Sequence, residues 1–311
     1  MRSLVLGAGA VGGYFGGRLL EAGRDVTFLV RPRRAAQLAE HGLRIASPNG
    51  DVHLAAPPTV TTDRIGGPFD LILLACKAYD LADAIASVAP AVGATTAIVP
   101  LLNGMRHLDV LSERFPGRVL GGECVVSSTL TSDGTIVHFN PLDTLVYGEL
   151  DGSATARVAA IEREMAGVRF TATASTTVLH DMWEKWTFLA CFAALTCLMR
   201  GSIADIIEGG GTAVALAMYG ETSAVAEANG FGPRPPALER SHALLKTPSP
   251  ATASMLRDIE NGNRIEADHV VGDLLARAPQ GLATPLLSLA YLHLKTYEAR
   301  RRTANADGAA S

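Results

Sequence analysis

The chain has 311 residues, of which 48% are hydrophobic and 19% charged, with a formal net charge of −4. That length suggests about two domains of roughly 150 residues, each with enough apolar material for a core. The mild acidity argues against a polyanion-binding protein, so nucleic acid is not an expected partner.

The chain opens on an apolar run, Leu4-Val5-Leu6, followed by Gly7-Ala8-Gly9-Ala10-Val11-Gly12. A helical pattern continues through Leu19, Leu20 and Ala22 and stops at Gly23, and a second apolar strand covers Val26–Val30. Strand, glycine turn, helix and strand form the context in which G-x-G-x-x-G predicts a dinucleotide site. Gly7 permits the tight turn, Gly9 lets a pyrophosphate approach the backbone, and Gly12 lets the helix pack closely on its strand. The unpaired N–H groups of the helix N-terminus then face the phosphates. The bland alternative is a glycine-rich turn in some other α/β protein. The motif begins too early to leave room for a signal peptide, so a cytoplasmic protein is expected.

The second strand runs into Arg31-Pro32-Arg33-Arg34. NAD-binding folds place an acid about 20 residues past the glycine motif, on the ribose 2′-hydroxyl. Here three arginines stand instead, and Arg31 can pair bidentately with a 2′-phosphate, which predicts NADP(H) as cofactor. A solvated basic turn would explain the same residues and leave the cofactor open.

Leu43–Ala46 and Val52–Ala55 read as a short inserted hairpin around Pro48-Asn49-Gly50-Asp51. Phe69–Cys76 is a near-continuous apolar run, typical of a central parallel strand covered on both faces. It ends at Lys77, where ligands lie in open α/β sheets, and a helix follows over Asp80–Val88. Lys77 either faces cofactor or substrate or is a strand-end lysine in water. The next strand, Thr96–Leu101, ends near Asn103-Gly104, where a side-chain amide can position a nicotinamide or substrate group, or simply form a turn. Strands follow near Val119–Leu130, Thr135–His138 and Thr144–Gly148, then a helix over Ala154–Ala166 and a strand at Phe170–Thr173. The turn Ser132-Asp133-Gly134-Thr135 predicts an antiparallel far edge.

After about Ser175 strand alternation gives way to helical periodicity. The predicted helices are Val178–Met199, Thr212–Asn229, Pro236–Leu245, Ala251–Asn261, Ile265–Ala278 and Pro285–Arg300, with Thr284 as the cap of the last. Domains are therefore expected over 1–175 and 176–300, with a disordered tail over 301–311. The longest apolar run, Phe188–Met199, falls short of the roughly 18–20 residues that span a bilayer, so no membrane association is expected. Cys76, Cys124, Cys191 and Cys197 form no C-x-x-C pair and read as reduced core residues. The eight histidines show no ligand spacing, and no metal is expected.

Lys185 stands in aromatic and apolar company, Met182-Trp183-Glu184-Lys185-Trp186. A lysine on a partly buried face is costly unless it has a partner or a task, and burial suits it to proton transfer. Alternatively Glu184 and Lys185 simply face water. Glu266 falls in the first turn of a predicted helix, where the dipole favours a carboxylate, or else faces the cleft beside Lys185.

Taken together these residues resemble the ketopantoate reductase (2-dehydropantoate 2-reductase) family over about residues 1–300. Gly7 to Gly13 with Arg31 resembles its NADPH site, including Ala8, Ala10 and Val11. Cys76-Lys77-Ala78 resembles its strand-end lysine, and Asn103-Gly104-Met105 its cofactor-side asparagine. Lys185 matches the family's catalytic lysine, Ser254-Met255-Leu256-x-Asp258 its substrate-side serine motif, and Glu266 the acidic partner of the lysine. The resemblance implies an N-terminal Rossmann-like, mostly parallel sheet followed by an all-helical domain like that of 6-phosphogluconate dehydrogenase. It further implies NADPH-dependent reduction of ketopantoate to pantoate in the pantothenate and coenzyme A pathway. Three positions depart from it: Leu189, Ala193 and Ala251 stand where polar amides are common. A more apolar 2-oxoacid or ketone is therefore an alternative substrate, and a non-catalytic NADP(H)-binding sensor an alternative of another class. Apolar faces among the later helices could serve a homodimer or the core alike.

Overall fold

A computed structural model of the chain describes residues 1–309. They divide into two compact units, Met1–Leu102 with His107–Asp181, and Asn103–Arg106 with the chain from Met182 onward. The division falls inside a helix a few residues after Ser175.

The first unit contains β1 (Arg2–Leu6), α1 (Ala10–Glu21), β2 (Asp25–Leu29), α2 (Pro32–His41), β3 (Leu43–Ala46), β4 (Val52–Leu54), β5 (Thr59–Val60), β6 (Phe69–Leu74), α3 (Leu81–Val88), β7 (Val92–Pro100), α4 (Arg106–Arg114), β8 (Gly121–Leu130), β9 (Thr135–Gly148), α5 (Ala156–Met165) and β10 (Thr171–Ala174). The first sheet has the order β5-β2-β1-β6-β7, and every pairing is parallel. Leu71 to Leu74 on β6 are wholly buried, as expected of a central strand covered on both faces. From β1 the chain proceeds to β2 and β5 on one side and returns to β6 and β7 on the other. The crevice of such a sheet opens where the order reverses, at the carboxyl ends of β1 and β6.

The expected antiparallel edge exists as β8 against β9, but in a second sheet of order β10-β9-β3-β4. The inserted hairpin explains it. β3 and β4 pair antiparallel, and β3 joins residues 135–137 of β9 in parallel, while β10 joins residues 144–147.

Helix α1 lies between the two sheets. A Cβ on Gly16 would stand 2.6 Å from Phe28 Cε1 of the first sheet. Cβ atoms on Gly13 and Gly17 would stand 2.5 and 2.8 Å from the Cδ1 atoms of Ile136 and Ile45 in the second. Paired glycines on two faces let both sheets close onto one helix at core density. Arg18, on the same helix, is fully buried and donates from Nη2 to the Gly50 carbonyl at 2.7 Å. One helix in this half escapes the sequence pattern. Arg31-Pro32-Arg33-Arg34 is not a turn alone but the start of α2, with proline at its first position.

The second unit is helical: α6 (Val178–Met199, whose first turn belongs to the first unit), α7 (Ile203–Glu208), α8 (Thr212–Ala228), α9 (Pro235–Lys246), α10 (Ser254–Glu260), a π-helical turn over Asp268–Gly272 continued by α11 (Asp273–Ala276), and α12 (Pro285–Ala309). The short α7, closed by a Ser202–Asp205 capping box, is the second unpredicted helix. Cys191, Leu195 and Cys197 on α6 are wholly buried, and burial raises the thiols of Cys191 and Cys197, the latter to about 12. All four cysteines are free. Thr284 stands at the N-cap of α12, its carbonyl accepting from Ser288 N at 2.9 Å, and Glu221 of α8 accepts from the next amides, Leu286 N at 3.0 Å and Leu287 N at 2.8 Å. The expected disordered tail is not found through Ala309. Residues 301–309 continue α12, and Arg301 donates from Nε to the Gly262 carbonyl at 2.8 Å. The remainder of that tail, 310–311, lies outside the described residues. No helix among the described residues is long and apolar enough to cross a membrane.

Candidate active site

The reversal point of the first sheet carries a cleft of about 540 Å³. Gly7, Ala8, Gly9, Arg31 and Lys77 line it, all of them singled out by the sequence. Gly7 makes the turn at φ 91°, with its amide bonded to the Leu29 carbonyl at 3.0 Å. A Cβ on Gly9 would meet nothing within 4 Å, so the backbone there is bare towards the cleft. Gly9 is also the N-cap of α1, which has no side-chain cap and no acid in its first turn. The helix thus presents its first amides and its positive end to whatever occupies the cleft. These features fit the pyrophosphate of a dinucleotide. Ala10, Val11 and Gly12 are not part of the lining. Ala10 and Val11 open α1, and Gly12 faces inward against Ala75, whose Cβ would stand 2.9 Å from an added Cβ.

Arg31 caps α2 and reaches Asp80 Oδ2 from its Nη2 at 3.3 Å. Arg34, which the sequence did not separate from its neighbours, also lines the cleft. It donates from Nε to the Ala8 carbonyl at 3.0 Å and from Nη1 to Gln37 Oε1 at 2.6 Å, bracing the glycine turn. Burial pulls its guanidinium below the usual range. Lys77 is half-buried and caps the short turn Ala78–Asp80 that leads into α3. Cys76 is part of the same wall.

In the second unit a small pocket, with space of about 10 Å³, enough for a single water at most, is lined by Asn103, Ser254 and Glu266. Three distant stretches of sequence meet there. Leu189 and Ala193 of α6 form its wall with Met255 and Val270, and Asp258 completes its polar side. Lys185 is half-buried and stands four residues before Leu189 on α6, so helical periodicity puts Lys185, Leu189 and Ala193 on one face. Ala251 is not in the lining; it is exposed and its carbonyl accepts from Ile203 N at 3.2 Å. Ala253, two residues on, does line the pocket.

Glu266 does not sit in a helical first turn. It precedes the π-helical turn, and its carbonyl accepts from Val270 N at 2.9 Å. Trp186 anchors that turn by donating from Nε1 to the Val270 carbonyl at 2.8 Å. His269, in the same turn, packs so closely on Gly104 that a Cβ there would stand 2.8 Å from the His269 carbonyl oxygen. Burial pushes the His269 imidazole down, against the pull of the Glu266 and Asp273 carboxylates. Glu184 does not face water. It accepts from Arg234 N at 2.8 Å, Nε at 2.7 Å and Nη2 at 2.7 Å. Among the described residues no group of three or more His, Cys, Asp or Glu is placed to hold a metal ion.

A family model described as ketopantoate reductase PanE/ApbA matches residues 3–152, and the corresponding C-terminal model matches residues 177–298. The chain belongs to the ketopantoate reductase family. It is 39% identical over 306 residues to a protein named uncharacterized oxidoreductase YkpB from Bacillus subtilis, covering 97% of this chain and 100% of that one. It is 28% identical over 293 residues to a 2-dehydropantoate 2-reductase of Halobacterium salinarum, covering 92% and 95% of the two chains. The solved structure of 2-dehydropantoate 2-reductase from Methylococcus capsulatus matches at a TM-score of 0.83 and 27% identity, covering 97% and 98%. The family is one of oxidoreductases, and with its Rossmann-like first unit it implies a nicotinamide cofactor.

Proposed function

We propose that this chain is an NADPH-dependent 2-oxoacid reductase that converts ketopantoate to pantoate. The observation that carries the reading is the meeting of Asn103, Ser254 and Glu266 in one pocket, on the helix that bears Lys185. The glycine turn Gly7–Gly12 and the amides of α1 hold the pyrophosphate, Arg31 takes the 2′-phosphate, and Lys77 lies along the cofactor. When bound, the nicotinamide supplies the hydride to the ketone carbon. Lys185 gives a proton from its ammonium to the nascent alkoxide, and its charge stabilises that oxyanion beforehand. Glu266 orients Lys185 or accepts a hydrogen bond from the substrate. The Ser254 hydroxyl donates to the substrate carboxylate, and the Asn103 amide fixes the reacting end.

A second reading keeps the reaction and changes the substrate. Leu189, Ala193, Ala253, Met255 and Val270 give the pocket an apolar wall, which suits a 2-oxoacid with an apolar chain. A panel of 2-oxoacids, followed by NADPH consumption with NADH as control, tests both. A clear preference for ketopantoate supports the first and sinks the second. Tight NADPH binding with no turnover across a broad carbonyl panel would sink both.

A further inference from the structure

The cofactor reading leaves one charge pair without a role. Arg31 and Asp80 both line the first-unit cleft, and they come from different walls, Arg31 as the cap of α2 and Asp80 as the cap of α3. Their side chains are unequally placed, Arg31 75% exposed and Asp80 30%. Arg31 is the more exposed member of the pair. The other arginine of the lining, Arg34, is engaged by the Ala8 carbonyl and Gln37, and Arg33 is exposed outside the lining. An incoming 2′-phosphate would therefore meet a guanidinium that already sits on a carboxylate. A phosphate carrying about −1.5 to −2 charges and bonded to Arg31 would lie close to Asp80, with Asp83 adding a second carboxylate to the lining. A ribose 2′-hydroxyl meets no such opposition, since it can donate to a carboxylate.

We propose that Asp80 is a cofactor-selectivity residue, whose carboxylate competes with the 2′-phosphate for Arg31 and lowers the preference for NADPH over NADH. The proposal rests on the reading of Arg31 as the phosphate partner. Its test is the binding of NADPH and NADH without substrate, by fluorescence titration at low salt, for wild type, Asp80→Asn, Arg31→Ala and the double variant. The Asp80 side chain makes no cap bond to α3, so Asp80→Asn leaves the start of that helix unchanged. Binding of NADH is the internal control for a damaged site.

Asp80→Asn should tighten NADPH about fivefold without tightening NADH, the scale of one exposed ion pair. The gain should shrink in the Arg31→Ala background. Unchanged NADPH binding in Asp80→Asn overturns the proposal, and weaker binding overturns it too, since it would make Asp80 a residue that sets Arg31 for the phosphate. Arg31→Ala judges the underlying reading separately: equal weakening of both cofactors removes the 2′-phosphate from Arg31. Selective weakening of NADPH with an inert Asp80→Asn keeps that reading and rejects only the role of Asp80.

Discussion

A Cβ on Gly12 would collide with the carbonyl oxygen of Gly7, in a turn that cannot yield because the Gly7 amide is itself bonded to β2. Around a Cβ on Gly9, three residues earlier, nothing lies within 4 Å. The two glycines of one motif therefore do different work. Gly12→Ala should lower stability by about 1–3 kcal/mol through overpacking, more than the helix gains from alanine. Gly9→Ala should cost under about 1 kcal/mol of stability, while weakening dinucleotide binding. Urea denaturation and cofactor titration of the two variants would separate the effects; equal loss of stability in both would contradict this division.

Lys185→Ala should reduce kcat about 10²- to 10⁴-fold, the range for loss of a positioned general acid, while NADPH binding survives. Steady-state kinetics on the preferred substrate, alongside cofactor titration, decides it. Unchanged turnover would remove Lys185 from the chemistry.

Glu184 gives the segment before α9 its anchor, with a side chain 9% exposed and three donors from Arg234. Glu184→Ala should destabilise by about 2 kcal/mol, short of a fully buried pair because the Arg234 side chain is 42% exposed. A midpoint unchanged in urea would show the clamp to be idle.

Glu149 in the first unit accepts from Arg157 Nε at 2.6 Å and Thr155 Oγ1 at 2.6 Å. The Arg157 guanidinium holds its carboxyl below the usual range, against the effect of burial. A depressed folded pKa contributes stability that is present above the unfolded value near about 4.3 and is lost as pH falls through the folded one. Glu149→Gln should be less stable than wild type at pH 7, with the difference narrowing below about pH 4. Denaturation midpoints between pH 7 and 3 measure it, and a gap that stays constant with pH would refute the linkage.

The glycine turn, its flanking strands, and the place of Arg31 and Lys77 in the cleft lining were legible because each lies within one short stretch. Arg34 was not, since three arginines in four residues look alike until the phase of α2 is known. Pro32 was the available signal for that helix. The second sheet was hidden because β3 finds its partner in β9, far along the chain, and periodicity carries no information on pairing. On the pocket side, Ser254 and Glu266 could be named only through a family pattern. The π-helical turn beside Glu266 has no sequence signature, and neither has the Trp186 bond to its Val270 carbonyl.

The wedge formed by Gly12, Gly13, Gly16 and Gly17 has a consequence for dynamics. Because both sheets close on α1, its first turn cannot fray without separating them. The bonded amides from Gly13 onward should therefore be among the slowest to exchange in the first unit, while the unbonded first amides stay open to the cleft. A phosphate arriving there finds its donors already ordered, so little conformational entropy is lost on binding.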